Sequence, residues 1–349
     1  MFPRLGLWRL MKHVNIPIFI PHLGCPNGCV FCNQRSISGK ESFNIEAMEQ
    51  EIRQVLSTVT RPAEVEIAFF GGSFTGIDRD LMVALLERAE HFVREGSVDA
   101  IRLSTRPDYI DGEVLEILSR YSVKTIELGL QSMDDGVLAA AKRGHTAEDG
   151  KRACALVKQY GFSLIGQMMV GLPASDSARE IETAKALCDL AVDGVRVYPT
   201  VVFEDTELCD MARCGEYIPL SDEEAVMRTK EVLRVFDSFD VPCIRVGLCA
   251  SENLSDETAV YGGANHSAIG ELAMGELYYE KICEWLDKNP EKRGPELVIY
   301  GGIGTTSKIS GQNKRNKTRI CKKYGISKIK ILEKSEIIGY NIILDTFMR

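Results

Sequence analysis

Short apolar, β-rich runs alternate with longer amphipathic stretches over the first 250 residues, and this alternation leaves few folds open. Strand candidates are Ile16–Leu23, Val65–Phe70, Ala100–Ser104, Thr125–Leu130, Leu164–Val170, Val195–Val202 and Pro242–Leu248. Helical patterns between them cover residues 44–59, 79–94, 112–120, 135–142, 147–160, 177–191 and 222–238. Strands separated by helices and short loops indicate a parallel sheet, because each crossover returns the chain to the same end. We therefore predict an α/β fold, a partial or complete (β/α) barrel.

Beyond about residue 255 this pattern changes. Residues 264–287 have a helical pattern, and residues 289–295 form a polar linker. Two further strand candidates, Glu296–Tyr300 and Ser327–Leu332, flank a basic helix near Lys314–Lys323. We predict a barrel with a helical flank over residues 15–290 and a small α+β module over residues 291–349.

The N-terminus lacks a secretory signal, because Arg4, Arg9 and Lys12 interrupt every apolar stretch. No apolar run approaches the roughly 18 residues that a membrane helix needs. We expect a cytoplasmic protein. Residues 1–14 are predicted to be an extension, and Met11 is an alternative start of translation, because the residues before it carry no periodicity or motif.

The chain has eleven cysteines, an odd number that does not suit a disulfide framework. Eight are scattered and are interpreted as small buried hydrophobic residues: Cys154, Cys188, Cys209, Cys214, Cys243, Cys249, Cys283 and Cys321. The other three, Cys25, Cys29 and Cys32, lie in a CxxxCxxC loop just past the first strand.

Three interpretations of this loop are open. Three thiolates can hold three irons of a [4Fe–4S] cluster and leave the fourth open to an external ligand, whereas an electron-transfer cluster normally has four protein ligands. A structural zinc would also need a fourth ligand, for which His22 is the only local candidate. The third interpretation is a loop without metal. Pro26 and Gly28 favour a sharp turn around a cluster.

The loop resembles the radical S-adenosylmethionine (SAM) superfamily, which has this spacing and an aromatic residue, here Phe31, before the last cysteine. The resemblance implies a [4Fe–4S] cluster held by Cys25, Cys29 and Cys32, with SAM on the open iron. One electron from the cluster then cleaves SAM to a 5′-deoxyadenosyl radical, which abstracts hydrogen from the substrate.

Further motifs lie at or after the ends of the later predicted strands. They are Gly71-Gly72-Ser73-Phe74-Thr75, Ser104-Thr105-Arg106-Pro107-Asp108, Glu127-Leu-Gly-Leu-Gln131-Ser132, Lys142-Arg143-Gly144-His145, Met169-Val-Gly171-Leu-Pro173 and Tyr198-Pro199-Thr200. Over about residues 15–250 they resemble the radical SAM domain of the Elongator subunit 3 family. That family modifies the wobble uridine of tRNA with SAM and acetyl-CoA. The resemblance implies SAM contacts at Gly71, Gly72, Ser73, Thr105, Gln131, Arg143 and Gln167, and it assigns no catalytic residue.

Several alternatives stay open at this rim. Gln131 and Arg143 are also compatible with a rim ion pair or a helix-surface position, and His145 with a helix cap or a core position. The sequence does not predict whether the side chains of Arg196 and Tyr198 point into the barrel or away from it.

The chain also departs from the family. Ser104 replaces a family glutamate and Gln167 a family histidine. The 349 residues leave no room for an acetyltransferase domain, so we expect no direct use of acetyl-CoA.

The net charge of −8 hides a strong asymmetry. Between Lys308 and Lys334 there are ten Lys/Arg residues and one acid, so this window is +9 and the remainder is −17. Gly311 and the basic residues after it resemble the GxxG loop of KH domains, which clamps nucleic-acid backbone, although Lys314 replaces the second glycine. Gly311, Lys314, Arg315 and Lys317 are the candidate RNA contacts. A solvated surface and a protein-binding surface are the alternatives.

These features together predict a radical SAM enzyme that acts on RNA, most simply on a tRNA base, and that receives electrons from a ferredoxin or flavodoxin. One alternative keeps the radical chemistry but uses a protein or small-molecule substrate. The other is a non-catalytic RNA-binding module held together by its metal. The sequence does not predict the oligomeric state.

Overall fold

The computed structural model describes residues 12–20, 24–25, 28–33, 44–248 and 259–347. Seven strands belong to one sheet: β1 (Lys12–Ile20), β2 (Ala63–Gly71), β3 (Ala100–Thr105), β4 (Val123–Gln131), β5 (Ser163–Val170), β6 (Gly194–Pro199) and β8 (Cys243–Val246). They pair in chain order, and every neighbouring pair is parallel. Within the described residues β1 and β8 remain the two edges, so the fold is a curled half-barrel. This confirms the α/β prediction in its partial form.

Helices connect these strands: α1 (Ile45–Leu56), α2 (Arg79–Arg94), α3 (Gly112–Leu118), α4 (Asp135–Ala140), α5 (Ala147–Gln159), α6 (Ser177–Asp189), α7 (Glu207–Arg213) and α8 (Asp222–Ser238). Polar side chains cap the starts of two of these helices. The Asn44 side chain accepts hydrogen bonds from the first backbone amides of α1, and Ser221 and Glu224 form a capping box at α8.

Alternate residues of each strand face opposite sides of the sheet. In β2, Val65, Ile67 and Phe69 are fully buried in the core beneath the helices. Glu66 and Phe70 lie on the other side, which is the inner face of the half-barrel. Each buried side chain of this size adds about 1.5–3 kcal/mol to stability, so this core holds the helices against the outer side of the sheet.

The structure corrects three strand predictions. β1 begins at Lys12, four residues before the predicted start. The single strand predicted over Val195–Val202 is two strands, because Pro199 has no amide hydrogen to continue the ladder. After it, β7 (Val201–Phe203) leaves the sheet and pairs antiparallel with β9 (Val260–Gly263), which the sequence did not indicate.

A separate three-stranded sheet forms the C-terminal module. It consists of β10 (Glu296–Gly301), β11 (Lys328–Glu333) and β12 (Ile343–Phe347), with β10 in the centre, parallel to β11 and antiparallel to β12. Helices α10 (Thr306–Ser310) and α11 (Arg315–Tyr324) lie between β10 and β11 in the chain. The two predicted strands and the basic helix are confirmed, and β12 is an addition.

One long helix, α9 (Ile269–Lys288), joins the module to the half-barrel. Ala273 and Leu277 pack with residues of α8, whereas Ile282 and Leu286 belong to the core of the module. The helix therefore contributes to both cores, and the boundary near residue 290 remains a prediction.

Seven of the eight scattered cysteines are described. Cys154, Cys209 and Cys283 are buried, as predicted. Cys214 is exposed, because it follows the last residue of α7 and turns toward solvent, so the prediction is wrong there. Cys188, Cys243 and Cys321 are partly buried, and Cys249 lies outside the described residues.

Candidate functional site

The three-cysteine loop lies just beyond the carboxyl end of β1, at the edge where the other parallel strands also end. Cys29 is buried, and Cys25 and Cys32 are half-buried. Gly24 has φ +72°, and a Cβ there would lie 2.2 Å from the Ser73 carbonyl oxygen, so only glycine lets the loop approach the end of β2 this closely. His22 and Pro26 lie outside the described residues.

Two backbone contacts fasten the end of this loop. The Val30 amide donates to the Ala141 carbonyl at 3.3 Å, and the Leu208 amide donates to the Val30 carbonyl at 2.8 Å. The loop is thus held between the end of α4 and the start of α7. No three His, Cys, Asp or Glu side chains in the described part of the chain are close enough to hold a single metal ion. A cluster distributes its cysteine ligands over several irons, so it does not require that spacing.

Two buried arginines reach Cys29. Arg143 Nη1 lies 3.1 Å from the Cys29 Sγ, and its Nη2 donates to the Gly129 carbonyl at 2.6 Å. Arg106 Nη1 lies 3.9 Å from the same sulfur. Burial raises the pKa of the neighbouring Cys25 thiol, and the positive charges of Arg106 and Arg143 oppose this increase. The two arginines therefore bring positive charge next to the buried thiols.

The glycine motif brings the end of β2 against the end of β1. Gly71 has φ +109°, a Cβ at this position would lie 3.0 Å from the Ile20 backbone, and the Gly72 amide donates to the Ile20 carbonyl at 2.9 Å. Ser73 is fully buried, and its hydroxyl lies 2.7 Å from the Thr105 hydroxyl. Ser73 and Thr105 therefore join the loops after β2 and β3.

A cavity of about 220 Å³ opens on the inner face of the half-barrel. Its lining residues are Phe19, Phe31, Cys32, Phe70, Gly71, Ser104, Gln131, Gln167, Met169, Arg196, Tyr198, Pro199, Val201, Phe203, Arg245 and Leu248. Of the predicted site residues, the cavity brings together Cys32, Gly71, Gln131 and Gln167. Arg196 and Tyr198, whose orientation the sequence does not predict, both line the cavity and so face the inner side of the half-barrel.

The other predicted site residues lie behind this wall. Ser73 and Thr105 form the hydroxyl pair, Gly72 bonds to β1, and Arg143 is directed at Cys29. They are positioned to shape and support the cavity.

Gln131 is the most unusual residue of the wall. It is a non-glycine residue with φ +65°, and its buried Oε1 has no hydrogen-bond partner in the described structure. A left-handed backbone and an unpaired buried acceptor each cost about 1–3 kcal/mol. Both features together indicate a position that is completed by a ligand.

A layer of ion pairs crosses the inner face below the cavity. Arg102 donates to Glu66 at 2.7 Å and to Glu127 at 2.9 Å, and Arg196 Nη2 also donates to Glu127 at 2.9 Å. Gln167 Nε2 donates to the other oxygen of Glu127 at 2.8 Å. The two arginines and two glutamates balance in charge.

Residues from adjacent strands meet in this layer, and the sequence analysis missed Glu66 and Arg102. Their signal is a single charged residue within each predicted apolar run, Val65–Phe70 and Ala100–Ser104. Burial would raise the pKa of Glu66, but a hydrogen bond from His13 and the charge of Arg102 outweigh it and hold the pKa below its usual value. Glu66 therefore stays ionised beside Arg102, and Glu127 holds Arg196 at the cavity.

His145 is buried behind the wall. Its Nε2 lies 3.3 Å from the Leu130 carbonyl oxygen, and its Nδ1 has no partner among the described residues. Burial, together with the charge of Arg143, lowers its pKa from 6.5 to about 4. The imidazole is therefore neutral at pH 7.

The predicted basic loop of the module is a tight turn between α10 and α11. Gly311 has φ +71°, and a Cβ there would lie 2.8 Å from the Asn316 side chain. Asn316 is buried and donates to the Gly275 carbonyl on α9 at 2.8 Å. Lys314, at the place of the second KH glycine, has φ +61°, the left-handed conformation that glycine adopts most easily.

Three of the candidate RNA contacts are cations without an ion pair in the described structure: Lys314, Arg315 and Lys317. Arg319, further along α11, is bound to Glu276 at 2.6 Å. The start of α11 therefore presents uncompensated positive charge.

Comparison with known proteins places this site in a family. Residues 19–186 match the model of the radical SAM superfamily, and residues 192–279 match the model of the radical SAM C-terminal domain. Among the described residues, no helix is both long and apolar enough to cross a membrane.

Curated relatives include a tRNA uridine(34) acetyltransferase of Methanocaldococcus jannaschii. It is 28% identical over 298 residues, which are 74% of this chain and 54% of the relative. An uncharacterized protein of the same archaeon is 30% identical over 62% of this chain and 69% of its own length. The chain thus spans about half the length of the acetyltransferase relatives that it matches.

Among solved structures, an archaeal Elongator subunit 3 from Methanocaldococcus infernus superimposes with a TM-score of 0.61 at 20% identity. The match covers 80% of this chain and 64% of that structure. At this identity the similarity establishes the shared fold.

Proposed function

The chain belongs to the radical SAM superfamily, and on this premise we propose that it is an enzyme that holds a [4Fe–4S] cluster through Cys25, Cys29 and Cys32. The observation that carries the proposal is the shared cavity wall. Cys32 from the loop after β1 and Gly71 from the end of β2 line one cavity together with Gln131, whose buried Oε1 is unpaired. A cluster on the cysteines would therefore face a ligand bound against the glycine motif.

The residues fit SAM as that ligand. Gly71 lines the cavity without a side chain, so its backbone is next to the place where a ligand amine can bind. The Gln131 Oε1 is a free acceptor for an amine or a ribose hydroxyl. When the cluster and SAM are bound, they supply one-electron reductive cleavage, the chemistry of this superfamily. The protein binds and orients them, and Phe31 and Phe70 exclude water from the cavity.

We further propose that the substrate is RNA and most simply a tRNA. Two curated relatives from Methanocaldococcus species are named tRNA uridine(34) acetyltransferases. The aromatic wall with Arg196 and Arg245 suits a planar base that carries polar edges.

Residues 291–349 would provide the RNA contact outside the cavity. Lys314, Arg315 and Lys317 are free to contact phosphates. The turn at Gly311 is fixed on α9, which also packs on the half-barrel, so bound RNA would have a defined position relative to the cavity. A ferredoxin or flavodoxin is the proposed electron donor, and the cytoplasm is the proposed location.

The catalytic proposal is tested by anaerobic reconstitution of the full chain with iron and sulfide, followed by chemical reduction and addition of SAM. We expect bound iron and sulfide, and formation of 5′-deoxyadenosine. Bound iron and sulfide without 5′-deoxyadenosine would contradict the catalytic proposal.

The RNA proposal is tested by a filter-binding titration with bulk tRNA over a range of salt concentrations. Phosphate contacts release counterions, so the logarithm of the affinity should fall linearly with the logarithm of the salt concentration. Absent or salt-insensitive binding would favour a protein or small-molecule substrate instead.

A further inference from the structure

The buried arginines of the half-barrel differ in how their charge is balanced. Arg102, Arg106, Arg143 and Arg196 are each less than a tenth exposed. Arg102 and Arg196 pair with glutamates, and Arg106 pairs with Asp108. Arg143 has no carboxylate partner in the part of the chain that the structure describes. An unbalanced buried charge costs several kcal/mol, so the site itself should supply the missing negative charge.

The guanidinium of Arg143 is aimed at a sulfur atom. Its Nη1 lies 3.1 Å from the Cys29 Sγ, a normal distance for a hydrogen bond to sulfur, and its Nη2 is tied to the Gly129 carbonyl at 2.6 Å. The fork of an arginine can make both contacts at once, which the single ammonium group of lysine cannot do in this geometry.

A second arginine holds the first in place. Arg106 donates from Nη2 to the Arg143 backbone carbonyl, and it is itself fixed by two hydrogen bonds to Asp108, at 2.9 and 2.8 Å. Its Nη1 lies at the longer distance of 3.9 Å from the Cys29 Sγ. Arg106 carries a balanced charge, whereas Arg143 brings its full charge to the sulfur.

We propose that Arg143 is a positioning residue that raises the reduction potential of the cluster through its hydrogen bond to Cys29. This inference rests on the proposed function, because it requires a cluster on the three cysteines. A cluster gains one negative charge when it is reduced, and both a nearby cation and a hydrogen bond to a ligand sulfur stabilise the reduced state. Reduction by a cellular donor becomes easier as a result.

This role differs from the SAM contact that the family resemblance implies for Arg143. A SAM carboxylate would need the guanidinium at the cavity, but Arg143 is not among the residues that line it. The two roles predict different measurements: a SAM ligand changes the affinity for SAM, whereas a sulfur ligand changes the reduction potential.

The test is an EPR-monitored redox titration of the reconstituted full chain without SAM, combined with iron and sulfide analysis. Arg143→Gln should reduce the equilibrium constant for cluster reduction about tenfold, which for a one-electron couple is about 59 mV. Arg143→Lys keeps the charge but loses the fork, so its decrease should be smaller. Asp108→Asn should change the potential in the opposite direction, because it leaves the charge of Arg106 unbalanced. Arg152→Gln, on the exposed side of α5, removes a surface cation and is the matched control.

Lower potentials in both Arg143 variants and a higher potential in Asp108→Asn, with no change in the control, would support the proposal. If Arg143→Gln does not retain the cluster, the Arg143→Lys and Asp108→Asn variants decide the question. Clusters that load fully but keep the wild-type potential in the Arg143 variants would overturn it, even if the affinity for SAM decreases. Absence of iron and sulfide from the wild-type chain would instead reject the proposed function.

Discussion

The half-barrel and the C-terminal module both contain many cations, but they place them in opposite surroundings. Arg102 and Arg196 are buried and held by glutamates of β2 and β4. Lys314, Arg315 and Lys317 of the module lie at the start of α11 and have no ion pair among the described residues.

This contrast separates two uses of positive charge. A buried, paired cation costs desolvation and is retained where it fixes a geometry, here the inner face of the cavity. An exposed, unpaired cation contributes little to folding, but it can contact phosphates, and salt screens its effect. We therefore expect substitutions of buried, paired charges in the half-barrel to change stability or chemistry, and substitutions of the unpaired cations of the module to change RNA binding.

The largest effect should come from Cys29→Ala. Loss of one of the three proposed cluster ligands should abolish 5′-deoxyadenosine formation, with decreased iron and sulfide. The fold should persist, because the core of the half-barrel lies beneath the helices and not at the loop. Circular dichroism and thermal melting check the fold, and Cys214→Ala at an exposed position is the control. Unfolding of the barrel by Cys29→Ala would instead indicate a metal with a structural role only.

Glu127→Gln should have the next largest effect. Glu127 is fully buried and accepts hydrogen bonds from Arg102, Arg196 and Gln167. Removal of its charge leaves two buried guanidinium groups with a single carboxylate, so the free energy of unfolding should decrease by about 3–5 kcal/mol.

Urea denaturation measures this loss. Glu148→Gln, on an exposed side chain paired only with Lys151, should change stability by less than about 0.5 kcal/mol. Equal decreases in the free energy of unfolding for the two substitutions would contradict the distinction between buried and exposed charges.

Combined substitution of Lys314, Arg315 and Lys317 by glutamine should weaken tRNA binding. If each cation contacts one phosphate, the slope of log affinity against log salt should decrease by about 2–3, and the affinity near physiological salt by about tenfold to a hundredfold. Urea denaturation should show wild-type stability, because these side chains have no ion pair to lose in the described structure. Filter binding at several salt concentrations provides the measurement.

The matched control is a triple substitution of cations on α5. Lys151, Arg152 and Lys158 each pair with a nearby acid, at 3.5, 2.7 and 2.9 Å. Their replacement by glutamine removes the same formal charge and should leave tRNA binding unchanged. A similar decrease in both triple variants would show that RNA binding depends on net charge and not on the module.

The smallest effect concerns His145 and pH. Burial lowers its pKa in the folded protein to about 4, below the value of 6.5 for an exposed histidine. The unfolded chain therefore binds an extra proton between these pH values, so the contribution of His145 to stability is lost as pH falls. Between pH 7 and pH 5.5 the wild type should lose roughly 1 kcal/mol that His145→Gln does not lose. Parallel stability curves for the two proteins would contradict this assignment.

The sequence predicts the fold well where periodicity is strong. Helices over residues 79–94 and 222–238 have the predicted bounds, because a clear apolar stripe and an N-cap residue mark them. Predictions were weaker where tertiary pairing decides the structure. The short β9 and β12 strands depend on partners far along the chain, which no local pattern reveals.

The candidate site likewise contains features that a local pattern predicts and features that depend on the tertiary structure. The spacing of Cys25, Cys29 and Cys32 predicts their chemistry, and parallel strands place them beside the glycine motif. The partner of Arg143 could not be predicted, because Cys29 is 114 residues away in the chain and meets it only through the order of the strands. The same holds for the ion pair between Arg102 and Glu66, 36 residues apart.

The central claim is that a radical SAM centre in the half-barrel acts on RNA. Comparison of the nucleoside mass profiles of tRNA from a deletion strain and the wild type tests it most directly. We predict that one modified nucleoside disappears in the deletion strain and is restored by the wild-type gene but not by Cys29→Ala. Identical profiles in the two strains, with a purified protein that holds its cluster and cleaves SAM, would contradict the claim.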